Sequence, residues 1–453
     1  MTLNPYNFVR FQEMAADARQ TPVWHSATDP DLHSGQLICR IVALSPIFIP
    51  DHESVLKLPL PPVRNPRQNR ARQRGNDHHN VYLHFFHLGD NRPLIAGSSL
   101  KGLFRSVAEA AVNGCLAVFS ERYMPGAANK VDTPKYAEPF NLEPAVKKHH
   151  LQPCHQVERQ DGEADSGLCP TCRLFGMPAP DEGEDQAGMR PNFFAGKVTF
   201  SDARLLGDPV YDDPVLLTEL SSPDPTSYLY YRDLSEQDPF GRKFYYHHKE
   251  LYRDTRQNQQ RAASLLNAYQ QEGSNDPIFS RAVDGDDGLN RKVTVRPLKK
   301  YETVFSFTVD YHNLTTAELD LLLYTLELDT MIDDKGRIRQ GAYHKLGYGK
   351  PAGLGSVAIQ VAEWRRLELH DERSRYSGNG TGWRRVKAEA ITTRVQRHKE
   401  AFLEQHARSV NLNNLRAILW YPSLHERIAY PRYPHDFKAD GGYRLPIPGR
   451  EPK

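Results

Sequence analysis

Two cysteines lie two residues apart in the segment GLCPTCRLFG (167–176), a spacing that suits a metal site, a redox pair or plain buried thiols. The preceding segment KKHHLQPCHQ (147–156) adds Cys154 and three histidines. Zinc takes four nitrogen or sulfur ligands in tetrahedral geometry. Cys154, Cys169 and Cys172 would fill such a site with one histidine, for which we select His150. A redox dithiol usually begins a helix after an apolar strand, and no apolar strand-like segment precedes this one, so we predict structural zinc.

Cations alternate with aromatic residues in GRKFYYHHKELYR (241–253). Arg242, Lys243 and Tyr245 are the residues that we select from it as binding groups. Stacking rings beside cations are what single-stranded nucleic acid requires, at about 1–3 kcal/mol per stacked base. The alternative is a strand with a buried aromatic face and a solvated basic face, and the sequence does not decide between the two.

A capped helix is predicted for AGSSLKGLFRS (96–106) and the residues that follow it. Ser98 or Ser99 could cap the helix, Gly97 allows close approach of the backbone, and a helix start suits a phosphate. Lys101 and Arg105 are four residues apart and share a face. The alternative is an ordinary amphipathic helix with a solvated basic face.

Glycines and lysines are interspersed in GAYHKLGYGKPAGLGSV (341–357). Such a loop lets backbone amides face a nucleic-acid backbone while lysines add charge. Lys345, Gly347, Gly349 and Lys350 are the residues selected here, although a flexible hairpin before a strand would have the same composition. The spacing fits neither a Walker loop nor a dinucleotide fingerprint.

Three aspartates are alternatives for a single catalytic carboxylate, namely Asp51, Asp77 and Asp90. A carboxylate near RNA can hold a divalent ion or orient a 2′-hydroxyl for in-line attack. Magnesium or manganese would then be the metal. Solvated loop acids are equally consistent with the pattern, and the sequence does not choose among the three.

The elements that must position these groups alternate between strand and helix. ETVFSFTVDY (302–311) alternates apolar and polar residues, and Thr315 with Glu318 forms a capping box before a leucine stripe. The predicted order of core elements is strand, helix, strand, strand, helix, strand: 35–49, 95–114, 195–206, 302–311, 315–328 and 355–364. This order predicts an α+β fold with a ferredoxin-like, RRM-related split βαβ core.

The chain of 453 residues is long enough for several domains, but its elements favour one decorated core. We predict a core over 1–364 and a C-terminal helix with a Pro/Tyr-rich tail over 365–453. Three insertions interrupt the core: an arginine-rich loop (50–95), a zinc-knuckle segment (115–194) and an aromatic, basic segment (207–300).

The net charge of +2 does not indicate a charged partner for the chain as a whole, because its basic and acidic stretches are local. The sequence has no signal-peptide pattern and no apolar run long enough to span a bilayer, so we expect a cytoplasmic protein with no membrane partner. Five cysteines in a reducing compartment make disulfides unexpected. Cys39 and Cys115 lie in predicted regular elements and are expected to be plain buried thiols.

Five segments together resemble the signature segments of the RAMP superfamily of CRISPR-associated proteins. They are NPYNFVRF (4–11), GSSLKGLFRS, CPTCRLFG, GRKFYYHH (241–248) and HKLGYGKPAGLGSV, in the order the family has them. The match resembles most closely the backbone subunits of type III effector complexes.

This resemblance implies a core that binds guide RNA, with copies or paralogous subunits stacked beside it and a complementary target RNA as a further partner. It implies RNA-backbone contacts from the GSSLKG helix start and the glycine-rich loop, and zinc beside the CxxC segment. It also implies cleavage of paired target RNA by an acid after the first strand, where Asp51 lies closest. The alternative is a metal-independent endoribonuclease that processes the guide precursor, for which His78, His79, His84 and His87 could supply a general base.

Overall fold

The computed structural model describes residues 5–27, 29, 31–58, 80–89, 92–117, 148–154, 167–177, 194–218, 241–248, 292–330, 338–367, 383–422 and 428. The strands are β1 (Tyr6–Arg10), β2 (His33–Ala43), β3 (Pro50–Leu58), β4 (Asn80–Phe85), β5 (His87–Leu88), β6 (Arg92–Ile95), β7 (Val198–Phe200), β8 (Ala203–Leu205), β9 (Val215–Thr218), β10 (Gly241–Tyr245), β11 (Lys292–Val295), β12 (Val304–Leu314), β13 (Gly341–Ala342), β14 (His344–Lys345), β15 (Ser356–Leu367), β16 (Trp383–Arg385) and β17 (Trp420–Tyr421). The helices are α1 (Gly97–Ala111), α2 (Pro170–Phe175), α3 (Thr316–Glu327), α4 (Ala388–Gln405) and α5 (Val410–Ile418).

The largest sheet has the strand order β14-β15-β2-β12-β8-β6-β5, with β16 added to β15 and β7 added to β12. Its long strands β2, β12 and β15 pair antiparallel. The apolar positions of β12 alternate as its sequence predicts: Phe305, Phe307, Val309 and Tyr311 are all buried. One face of this sheet must therefore be covered.

Helices α1 and α3 pack against that covered face. Phe104 of α1 stacks on Phe200 of β7 and Phe307 of β12, with ring centroids 5.2 Å and 5.9 Å apart. Helix α3 begins at the predicted capping box, since Thr315 accepts from the N–H of Glu318 and the Glu318 carboxylate accepts in return. Helix α4 packs behind α3, where Phe402 stacks on Tyr324 at 4.5 Å.

Smaller sheets lie beside this core. Strands β3, β4, β11 and β9 form one, β1 pairs with β10, and β13 pairs with β17. The side chain of Asn411 in α5 donates to the carbonyl of Arg10 at 3.0 Å. Segments far apart in the chain therefore meet next to α1.

The mixture of helices with antiparallel sheets confirms the predicted α+β class. The segment expected to be an arginine-rich loop contains β3, β4, β5 and β6 in its described parts. Strand β4 pairs with β3 and β11, and β6 pairs with β5 and β8. No helix of the described residues combines the length and apolar character that crossing a bilayer would need.

Candidate nucleic-acid interface and metal centre

A cleft of about 550 Å³ collects residues from five separate parts of the chain, of which one contributes only Leu419. Its walls are the outer face of α1, the strand β10, the glycine-rich segment after β14, and the residues just before and at the start of β3. The polar and aromatic lining residues are Ser99, Ser106, Lys243, Phe244, Tyr245, His344, Lys345, Tyr348 and Lys350. Six of the twelve residues that sequence reasoning selected for RNA binding line this one cleft: Ser99, Lys243, Tyr245, Lys345, Gly347 and Lys350.

The first wall is the start of α1, where Ser98 and Ser99 are exposed. Neither serine caps the helix: the N-cap is Ala96, and the carboxylate of Asp202 accepts from the N–H of Gly97 at 2.8 Å. Gly97 is buried, and a Cβ there would lie 2.3 Å from the carbonyl oxygen of Phe200. Glycine at this position allows α1 to pack closely on the sheet. Ser99 is the residue of this helix start that lines the cleft.

The second wall is β10, which supplies a cation and an aromatic ring. Nζ of Lys243 lies 3.8 Å from the centroid of the Tyr6 ring, in cation–π geometry. Tyr245 packs edge-on against the same Tyr6 ring, at 6.2 Å between centroids. Burial lowers the pKa of Lys243 to about 8. The wall therefore offers a partly desolvated ammonium group between aromatic rings.

The third wall is the glycine-rich segment. Gly347 has φ +87°, and a Cβ there would lie 2.4 Å from the carbonyl oxygen of Phe48, so the turn requires glycine. Nζ of Lys350 donates to the carbonyl of Gly347 at 2.6 Å, and Nζ of Lys345 donates to that of Leu354 at 2.9 Å. Burial lowers the pKa of Lys350. Both ammonium groups are thus held against the backbone that forms the cleft wall.

His344 lies beside them as a buried neutral group. Its Nε2 donates to the carbonyl of Leu326 at 3.1 Å, and its ring meets Phe104 edge-on. Burial lowers the pKa of His344 to about 4. It is therefore a packing residue of the wall and carries no charge at neutral pH.

Three of the selected cations lie elsewhere. The half-buried Lys101 faces Gly196, where an added Cβ would lie 3.0 Å from its Nζ. Arg105 pairs with Glu109 at 2.9 Å and donates to the carbonyl of Gly176 at 2.9 Å. Arg242 donates to the carbonyl of Gly114 and lies over the Phe11 ring at 5.5 Å.

Four buried cysteines form a compact cluster: Cys115, Cys154, Cys169 and Cys172. Their sulfur atoms all lie within 4.8 Å of one another, and the Cys115 and Cys172 sulfurs are 3.4 Å apart. Sulfur atoms around tetrahedral zinc are about 3.8 Å apart, given Zn–S bonds of about 2.3 Å. The N–H of Cys169 donates to Sγ of Cys154 at 3.3 Å, a contact of the kind that orients metal-binding thiolates. The cluster has the donors and spacing of a closed metal site.

The electrostatics of the cluster also suit a cation. Hydrogen bonds from Cys115 and the other two thiols lower the pKa of Cys154. The contacts of Cys115 with Cys154 and Cys169 raise its own pKa, so ionising one thiol opposes ionisation of the next. A bound divalent cation is what allows neighbouring thiols to remain thiolates together.

The fourth position of this cluster belongs to Cys115, and His150 lies outside it. His150 is 60% exposed, and its Nε2 faces Oε1 of Glu13 at 3.5 Å. Cys115 follows the turn that ends α1. The fold brings it next to Cys154, Cys169 and Cys172, although Cys154, the nearest of these in the sequence, is 39 residues further along the chain. The expectation of a plain buried thiol thus missed a member of the cluster.

Arg105 and Arg242, which do not line the cleft, lie beside this cluster. Nη2 of Arg105 donates to Sγ of Cys172 at 3.7 Å. Burial lowers the pKa of Arg242, while its electrostatic neighbours Glu109, Cys115 and Cys169 act in the opposite direction. Four thiolates with one divalent cation carry a charge of about −2, and these two guanidinium groups would offset it.

Of the acids, Asp51 is the second residue of β3 and is half-buried. Its neighbour Pro50 lines the cleft, whereas Asp51 itself is not among the lining residues. Asp77 and Asp90, like His78 and His79, lie outside the described residues. His84 and His87 are on β4 and β5.

Sequence reasoning did not select Tyr6, Ser106, His344 or Tyr348, which line or support the cleft. One available signal was the register of β10. Adjacent residues of a strand point to opposite sides, which predicts that the side chains of Arg242 and Lys243 lie on different sides of β10.

The family model of the RAMP superfamily matches residues 40–358 of this chain. The crystal structure of Csc2 from Thermofilum pendens is similar at 12% identity and a TM-score of 0.30, over 88% of this chain and 86% of that one. No curated protein matches the sequence. Because the family model spans more than half of the sequence, the chain belongs to the RAMP superfamily, a family of CRISPR-associated proteins.

Proposed function

We propose that this protein is a guide-RNA-binding subunit of a type III-like CRISPR effector complex in antiviral defence. The observation that carries the proposal is the cleft, where Ser99, Lys243 with Tyr245, and Lys345 with Lys350 converge from distant segments. Cations along a groove and rings beside them match the sugar-phosphate backbone and the bases of single-stranded RNA. Backbone contacts of this kind bind any sequence, as a guide-binding subunit must.

A ferredoxin-like core is part of this proposal. The strand order β15-β2-β12-β8, with α1 between β2 and β8 in the chain and α3 between β12 and β15, supports it. We further propose that residues 1–364 form one unit, which 365–453 extends. Helix α4 is attached to α3 through Lys399 and Glu327 at 3.3 Å.

We also propose that the four cysteines hold zinc as a structural ion. The ion would connect the end of α1 with α2 and residues 151–154. Its role would be to hold α1, and with it one wall of the cleft. Other effector subunits, or further copies of this chain, are the protein partners that this role requires.

The binding test uses the intact chain and a labelled single-stranded RNA. We expect affinity to fall linearly with the logarithm of salt concentration. The double variant Lys243→Ala, Lys350→Ala should bind at least about tenfold more weakly, and its salt slope should be smaller by about 1.4 because two phosphate contacts are lost. Arg204→Gln removes one exposed arginine on β8 and should change little. Equal binding by the wild type and the cleft variant would refute the proposal.

Target cleavage is the enzymatic part of the proposal, with Asp51 and magnesium or manganese as its agents. The support for it is that Asp51 directly follows the cleft residue Pro50 at the start of β3. Purified complex should cut complementary RNA when the metal is added, and Asp51→Asn should abolish the cutting while Glu389→Gln retains it. Cutting by the Asp51→Asn variant at the wild-type rate would exclude this role for Asp51.

A further inference from the structure

The tripeptide Trp-Arg-Arg occurs twice in the sequence, at 364–366 and 383–385. The first copy lies near the end of β15, and the second is the whole of β16. These two strands pair antiparallel at the side of the sheet. The pair, Glu363–Leu367 with Trp383–Arg385, is called the WRR hairpin below.

Like charges face each other across the WRR hairpin. Its register places Arg365 opposite Arg385 and Arg366 opposite Arg384. Directly opposed like charges destabilise a pair of strands. The carboxylate of Glu363 contacts Arg385 at 3.0 Å and Arg365 at 3.3 Å, so one anion serves two guanidinium groups.

The guanidinium groups on this face reach solvent. The side chain of Arg385 is 67% exposed and that of Arg365 is 44% exposed. The phosphates of a polyanion bound across the hairpin would accept hydrogen bonds from several arginines at once.

The two tryptophans of the repeated tripeptide have different roles. Trp364 is buried, and its indole N–H donates to the hydroxyl of Tyr311 at 2.8 Å. Trp383 is 43% exposed and lies opposite Leu367. An exposed indole among arginines combines a stacking platform with phosphate-binding cations, which favours single-stranded RNA over an acidic protein surface.

The WRR hairpin is far from the cleft. Strand β15 begins at Ser356, which pairs with the cleft residue Lys345. Arg366 is ten positions further along the strand, about 33 Å away at about 3.3 Å per residue. A ligand on the hairpin is therefore at a separate site.

We propose that the WRR hairpin is a second contact for single-stranded RNA, which binds a stretch of the same polymer beyond the cleft. The choice of RNA as the ligand rests on the proposed function, while the separate position of the surface does not.

The test compares a short oligouridylate of about 4 nucleotides, which cannot span both sites, with one of about 20. The double variant Arg365→Thr, Arg385→Thr, which removes the two opposed arginines of one face, should bind the long RNA at least about tenfold more weakly, with a salt slope smaller by about 1.4. Its affinity for the short RNA should equal that of the wild type. Its melting temperature should be equal or higher, because the opposed charges are gone. Arg204→Gln removes one exposed arginine on β8 and is the control.

Photocrosslinking of the long RNA, substituted with 4-thiouridine, should label the peptide that contains Trp383. A folded hairpin variant with unchanged affinity and salt slope for the long RNA would overturn the proposal. Loss of a co-purifying protein subunit with unchanged RNA binding would also overturn it and would assign the surface to a protein.

The cleft variant Lys243→Ala, Lys350→Ala separates this inference from the proposed function. If it leaves both RNAs unaffected while the hairpin variant weakens the long RNA, the cleft proposal fails and the hairpin proposal stands. The reverse result refutes the hairpin alone.

Discussion

At the scale of single residues, the side chains of residues adjacent in the sequence lie in different parts of the structure. Lys243 lies over Tyr6 in the cleft, whereas Arg242 donates to the carbonyl of Gly114 beside the cysteines. The two residues have the same charge, and the alternation of the strand separates them. The side of β10 on which a cation lies therefore determines whether it faces the cleft or the cysteines.

Lys243 predicts a pH dependence of RNA binding. A lysine is charged below its pKa, and burial lowers that of Lys243 to about 8. Affinity should therefore fall as pH rises from about 7 to about 9.5, by up to about tenfold for one charge-assisted contact. Fluorescence anisotropy across this range measures it. Lys243→Arg keeps its charge throughout and should flatten the curve, and an equally steep curve in that variant would contradict the assignment.

The cysteine cluster predicts which residue completes the metal site. Cys115→Ser should lower zinc affinity by more than about 100-fold, since losing a direct ligand costs at least as much as losing an outer partner. His150→Ala should retain the metal, because that ring is exposed and faces Glu13. Cys39→Ala is the matched cysteine control. Zinc measured by mass spectrometry after dialysis decides, and loss of metal in His150→Ala alone would restore the histidine as ligand.

At the scale of elements, α1 connects the two candidate sites. Its exposed start supplies Ser99 to the cleft, and its last turns carry Arg105 and Glu109 toward the cysteines. Phe104 between them anchors the helix on the sheet. The position of this helix is thus fixed by both its packing and the cluster.

Two glycines of α1 predict opposite effects on stability. A Cβ at Gly97 would lie 2.3 Å from the Phe200 carbonyl oxygen, so Gly97→Ala should cost about 1–3 kcal/mol of unfolding free energy through overpacking. A Cβ at Gly102 meets nothing within 4 Å, and Gly102→Ala should add about 0.4–1 kcal/mol. Thermal denaturation of the two variants provides the comparison. Equal melting temperatures would show that α1 does not need its close approach to β7.

At the scale of the whole molecule, the described residues form a main core, a smaller core and a separate cluster of Leu44, Tyr343 and Ala358. The main core is the central sheet with α1, α3 and α4. The smaller core contains the four cysteines with Met14, Leu151, Leu168, Met177 and Phe194. The ion pair between Arg173 and Glu318, at 3.8 Å, links the CxxC segment of the smaller core to α3.

The division into two cores predicts a local response to metal removal. A chelator should increase hydrogen exchange at residues 148–154 and 167–177, because the few apolar contacts of the smaller core would lose their central ion. Strands β2, β12 and β15 should remain protected. Mass spectrometry of peptides gives the readout, and a uniform increase over the whole chain would show that the two cores unfold as one.

Local patterns carried most of the fold prediction. The alternation of β12, the capping box at Thr315 and the leucine stripe of α3 are each encoded within a few residues, and all of them appear in the structure. Cys115 and the inward-facing Arg105 were not predictable in this way. Their roles depend on which distant segment packs beside α1, and neither spacing nor composition records that contact.

The pairing of β1 with β10 has a consequence for synthesis on the ribosome. Asn7 bonds to Tyr246, 239 residues later, and Arg10 accepts from Asn411 in α5. At about 5–20 residues per second, the first strand waits roughly 12–50 s for its partner. Tyr6 and Lys243 come into contact only then. Under the proposed function, a nascent chain would lack this wall of the cleft until then, and guide RNA would bind after translation.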